Sequence, residues 1–64
     1  MPNITIDGPK LENLDVKRIL IREITNAIEK AYNLPRDHII VVIKVNLPEN
    51  VGVGGTLLSD RTRG

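Results

Sequence analysis

The chain contains no cysteine, one histidine, one aromatic residue and no long hydrophobic run. Each shortage removes a class of function. Without cysteine there is no disulfide framework and no thiolate metal site. A lone His38 cannot make a histidine cluster. With Tyr32 as the sole aromatic, a platform for stacking bases is missing. Nine basic and eight acidic side chains nearly cancel, so there is no broad attraction to nucleic acid. No apolar stretch approaches the roughly 18 residues that a membrane helix needs. The start also lacks the basic-then-apolar pattern of a signal peptide. The expected setting is therefore cytoplasmic, with no membrane and no nucleic acid as partner.

What remains is short and aliphatic. Sixty-four residues allow a single domain, residues 1–64. A chain of this size buries a modest share of its surface. Small scaffolds draw extra stability from disulfides, metals or self-association. The composition leaves self-association.

The first residues are Met1-Pro2-Asn3-Ile4-Thr5-Ile6. The small ring at position 2 is compatible with removal of the initiator methionine. The mature chain would then begin with proline, a secondary amine that no other residue supplies. Inside a chain that nitrogen is an inert amide, whereas at a free terminus it is a base and a nucleophile.

Residues 3–7 alternate apolar and polar, the pattern of a half-buried strand, and Gly8-Pro9 ends it. Asn13 suits a helix N-cap, with Asp15 in the first turn. From Leu14 to Tyr32 apolar residues recur at helical spacing. Leu20, Ile24, Ala27, Ile28 and Ala31 form the main stripe, widened by Val16 and Ile21. Lys17, Arg18, Arg22, Glu23, Asn26, Glu29 and Lys30 are expected on the other side. Asn33 fits a left-handed C-cap, and Pro35 stops the helix. The β-branched run Ile39 to Val45 predicts a second strand, apolar on both faces.

Strand, long helix and strand make a right-handed parallel βαβ unit. One helix covers one face of a two-stranded sheet, so the other face is expected to meet another subunit. In the tail, Pro48 to Asn50 reads as a tight turn. Gly54-Gly55 suits a hairpin turn between Val51–Val53 and Thr56–Leu58. Residues 59–64 are expected to fray, and Arg36 to be solvated.

Several stretches taken together resemble the 4-oxalocrotonate tautomerase family. They are Met-Pro-x-Ile-x-Ile at the start, Lys17-Arg18-x-Leu20-Ile21-x-Glu23-Ile24-Thr25 and Leu34-Pro35. The strand at Ile39 to Ile43 and Pro48-Glu49-Asn50-Val51-Gly52-Val53-Gly54-Gly55 complete the pattern. The resemblance implies an α+β fold, a βαβ unit with a C-terminal β-hairpin, two units pairing into a four-stranded sheet. It implies a homo-oligomer, commonly a hexamer built as a trimer of dimers. It implies an isomerase that uses neither cofactor nor metal. The mature proline, here Pro2, would move a proton between an enol oxygen and a carbon of 2-hydroxymuconate-like dienol and keto acids.

That chemistry needs an amine whose pKa lies near the working pH. An apolar pocket and a nearby cation both disfavour the protonated amine. A cation would also hold the substrate carboxylate and the developing enolate.

The same resemblance points to three substrate-binding positions, and the chain departs from the family at each. The arginine of the loop after the first strand falls on Glu12 in an ungapped alignment, and Lys10 is the nearest basic residue. A second arginine, contributed by a neighbouring subunit, falls on Ile40. A pocket phenylalanine falls on Val51. A diacid that needs two arginine clamps is thereby put in question, while the proline is retained. Hydration or dehalogenation of a small unsaturated acid would need a water-activating acid near the tail, and Glu49 is the adjacent one in sequence. A non-catalytic oligomeric module is the alternative from another class.

Overall fold

In the computed structural model, residues 2–61 are described. The state of Met1 and the ends of the frayed tail expected at 62–64 lie outside them. Strand β1 runs Asn3–Gly8, helix α1 Leu14–Tyr32 and strand β2 Ile40–Val45. A hairpin of β3 (Gly52–Val53) and β4 (Thr56–Leu57) follows, then one helical turn, α2 (Leu58–Arg61).

The helix is bounded by the two asparagines. Asn13 Oδ1 accepts the amides of Asp15 at 2.8 Å and Val16 at 3.3 Å, which satisfies two of the free N–H groups of the first turn. Asn33 takes the left-handed conformation at φ 56°, and its N–H donates to the Glu29 carbonyl. Both glycines at the hairpin tip have positive φ, 60° at Gly54 and 87° at Gly55. This is the mirror-image turn whose twist matches paired strands, and side-chain-bearing residues adopt it poorly.

β1 and β2 are parallel and in register from Asn3 opposite Ile40 to Gly8 opposite Val45. Two flanking bonds lengthen the ladder. The Ile40 N–H donates to the Pro2 carbonyl at 3.1 Å, and the Asn46 N–H to the Gly8 carbonyl at 2.8 Å. Ile4, Ile6, Val41 and Ile43 form the half-buried face of the ribbon. They share that state with Leu20, Ile24 and Ile28 of α1. Lys17 is half-buried too, against expectation, while Val16, Ala27 and Ala31 stay exposed. The layer is only one sheet thick, so it encloses the centre of the stripe and leaves its flanks open.

The second face of β2 is bare. Ile40 and Val42 are each 44% exposed. No hydrophobic side chain among the described residues is fully buried, and Thr25 is the one buried residue. The radius of gyration is 15.2 Å, against about 11 Å for a compact chain of this length. The accessible surface is 5127 Å², where a monomer of this mass typically exposes about 4,100 Å². The excess, about 1,000 Å², is of the order that one partner contributes to a stable interface. A single chain is thus a half-finished globule.

One expectation is corrected and another refined. Leu58 does not extend the returning strand. It opens α2, which includes Ser59 to Arg61, and its N–H donates to the Val51 carbonyl at 2.7 Å. That bond folds the chain back over the Pro48–Asn50 turn instead of letting it fray. Arg36 is exposed, as expected, but it is tied to α1 instead of standing free in the loop. Its Nη1 donates to Asn26 Oδ1 at 2.8 Å and to Glu29 Oε1 at 2.7 Å. The short helical turn Arg36–His38 brings the guanidinium back against α1.

Candidate active site

The ribbon has two ends, and the residues singled out in the sequence divide between them. Pro2 and Ile40 share one end. Pro2 is half-buried at the mouth of β1, and its carbonyl is held by the Ile40 amide. By the alternation of the strand, Pro2 stands on the face of Ile4 and Ile6, the apolar face under α1. Ile40 points the other way, to the open face. The turn before β2 carries Arg36, paired with Glu29 of α1. Arg36 is tied to α1 through one nitrogen of its guanidinium.

Val51 and Lys10 belong to the opposite end. Six strand steps separate Pro2 from Gly8, roughly 20 Å at about 3.3 Å per residue. There a cavity of about 240 Å³ opens between the end of β1 and the tail, lined by Asp7, Gly8, Pro9, Asn46, Pro48, Val51 and Leu58. The lining is mostly apolar, and Asp7 is the one charged residue in it among the described residues. Lys10 stands outside it, exposed in the loop before α1. Neither Lys10 nor Glu12 has a hydrogen-bond or ion-pair partner among the described residues. Glu49 and His38 are exposed as well. Among the described residues no group of three or more metal-ligating side chains comes together. Also among them, no helix is long and apolar enough to cross a membrane.

The geometry therefore brings together Pro2 with Ile40, and Val51 with Asp7. It does not bring the first pair to the second within one chain, nor Lys10 to Pro2. Asp7 was missed in the sequence because it sits 44 positions from Val51. The available signal was its place at the carboxyl end of a parallel strand, where open α/β sheets collect their ligands.

Comparison with known proteins decides the family. The family profile described as "Tautomerase enzyme" matches residues 2–61. The chain belongs to the tautomerase family. It is 32% identical over 60 residues to a probable tautomerase of Listeria innocua, covering 94% of this chain and 98% of that one. Among solved structures, DmpI from Archaeoglobus fulgidus is 36% identical at a TM-score of 0.82, covering 92% of this chain and all of that one. A 4-oxalocrotonate tautomerase isozyme of Methylibium petroleiphilum is 27% identical at a TM-score of 0.83, covering 97% of this chain and 100% of its own. The tautomerase fold, a βαβ unit with a small C-terminal hairpin, is thus common to this chain and these relatives.

Proposed function

We infer that the protein is a cofactor-independent enol–keto tautomerase whose mature N-terminal proline is the general acid and base. The observation that carries this reading is the placement of Pro2 in a chain of this family. It stands at the start of a strand, half-buried on the apolar face, with its carbonyl fixed by Ile40. Removal of Met1 would leave a secondary amine at a place set by the β-ladder.

The reaction follows from that position. The amine accepts the proton of the enol hydroxyl, and electron density moves through the enol to form the carbonyl. The resulting ammonium returns the proton to carbon. The apolar side chains near Pro2 favour the uncharged amine between turnovers. A cation near the substrate carboxylate would steady the dienolate. Lys10 is the candidate from the loop after β1. Lysine is a point charge and lacks the two-pronged grip of arginine.

The complete site needs more than one chain. β1 and β2 form a two-stranded ribbon with open edges. Two such ribbons paired antiparallel would make a four-stranded sheet. Each Pro2 end would then lie beside the partner's Val51 end. The bare face, with Ile40 and Val42, would be covered by further dimers, as in the family's hexamer. The substrate class is a small enol or keto acid, with 2-hydroxymuconate as the reference compound.

The test follows ketonisation of 2-hydroxymuconate by ultraviolet absorbance. The protein must be shown by intact mass to begin at Pro2, and Pro2→Ala is the control. Turnover that collapses in the control supports the mechanism. If the wild type does no better than the control on this diacid or on a monoacid enol, the reading gives way to a non-catalytic oligomer.

A further inference from the structure

We propose that Asp7 is a charge selector that makes this site prefer substrates with one carboxylate over those with two. The proposal rests on the tautomerase reading for the chemistry, and on the cavity at the Val51 end for the selectivity.

The cavity is small, about 240 Å³, below the roughly 300–1,000 Å³ of drug-sized sites. A ligand there cannot keep its distance from the wall. Among the described residues the wall is made by the aliphatic Val51, Leu58 and two prolines, by Asn46, and by one charged residue, Asp7. No cation lines it. Asp7 is flanked on its own sheet face by Lys44, its register partner on β2. The two do not form an ion pair, so Lys44 does not cancel the charge by contact. Lys10 lies three residues on, outside the lining, and Glu12 beyond it adds a second negative charge to the same loop. Asp7 itself is exposed, so a carboxylate brought against it meets a like charge at short range and must also give up water against the aliphatic wall. The apolar end of a monoacid meets Val51 and Leu58 and loses nothing. The monoacid would place its single carboxylate away from Asp7, toward the loop cation or the partner's Pro2 end.

Selectivity of this kind works by rejection, an unfavourable contact built against the competitor. It also gives two of the three family departures one physical sense. With Glu12 and Ile40 where the family has its two arginines, the chain has shed the clamps for a second carboxylate, and Asp7 supplies a group that repels one.

The test uses a matched pair of unreactive ligands, sorbate and muconate. They share a six-carbon diene and differ by one carboxylate. Binding to protein that begins at Pro2 is measured by NMR titration, for the wild type and for Asp7→Asn, which keeps the shape and removes the charge. Wild type should bind sorbate about tenfold tighter than muconate, a difference of about 1.4 kcal/mol. Asp7→Asn should erase most of that preference by gaining muconate affinity, with sorbate binding unchanged. Equal preference in both proteins, tighter muconate binding by the wild type, or binding of neither ligand would overturn the proposal. Because the readout is binding, it is separate from turnover. Selective binding without ketonisation would sink the tautomerase reading alone. Ketonisation with no change in preference would sink the selector alone.

Discussion

The two ends of the β1–β2 ribbon are built on different principles. At the Pro2 end the backbone does the positioning. The Ile40 amide holds the Pro2 carbonyl, Asn33 closes the helix, and Arg36 ties the turn before β2 to Asn26 and Glu29. At the Val51 end the positioning is done by turns and packing. Pro48 of the Pro48–Asn50 turn, Val51 and Leu58 at the start of α2 line a cavity together with Asp7. The first arrangement fixes the Pro2 carbonyl at the start of the ladder. The second shapes a wall whose charge and volume can vary. On the proposed reading, reactivity would belong to the ladder and discrimination to the loops at the other end.

Substitutions at the two ends should separate accordingly. The largest effect is expected from Pro2→Ala, or from protein that retains Met1. Loss of a positioned acid/base group costs on the order of 10²–10⁴ in kcat, read by the ultraviolet assay, with the oligomer intact by sedimentation. A Pro2→Ala protein as fast as wild type would remove the distinction between the ends.

Next in size is Val42→Asp, which puts a charge on the bare sheet face. If that face is covered in the assembly, the buried, unpaired carboxylate destabilises it by roughly 3–5 kcal/mol. Sedimentation should then show dissociation. An unchanged assembly would mean the face stays in water.

The caps come next. Asn13→Ala should cost about 1 kcal/mol of stability in urea unfolding. Asn33→Val, which forces a β-branched residue into the left-handed region, should cost about 1–2 kcal/mol. Asn13 lies at the Val51 end and Asn33 at the Pro2 end, so the first should act mainly on KM and the second on kcat. Identical kinetic signatures would argue that the ends are not independent.

The smallest effect belongs to Arg36→Met. The Arg36 and Glu29 side chains are 46% and 38% exposed. The pair is therefore worth less than about 1 kcal/mol, and salt should weaken it further.

Much of the fold was legible in the sequence, and the reason is local. Asn13, Asn33 and Pro35 bound α1 by their own hydrogen bonds and dihedrals. The β-branched run of β2 and the Gly54-Gly55 turn likewise act on their own backbone. The strand after Pro2 was readable from its alternation. What escaped depended on contacts between distant positions. Arg36 reads as a loop cation until Asn26 and Glu29 stand beside it. Leu58 reads as a strand residue until Val51 receives its amide. Asp7 reads as the polar side of a strand until the tail folds over its end.

Sequence alone determined the secondary elements, their caps, the parallel βαβ order and the presence of a proline that can become a terminal amine. These are consequences of dihedral preference, periodicity and covalent chemistry, which short segments carry with them. Tertiary structure alone decided that Pro2 and Val51 lie at opposite ends of the chain, and that Asp7 joins Val51 in one cavity. Those facts depend on chain crossover and strand register, which bring together residues dozens of positions apart and have no signature in any one stretch.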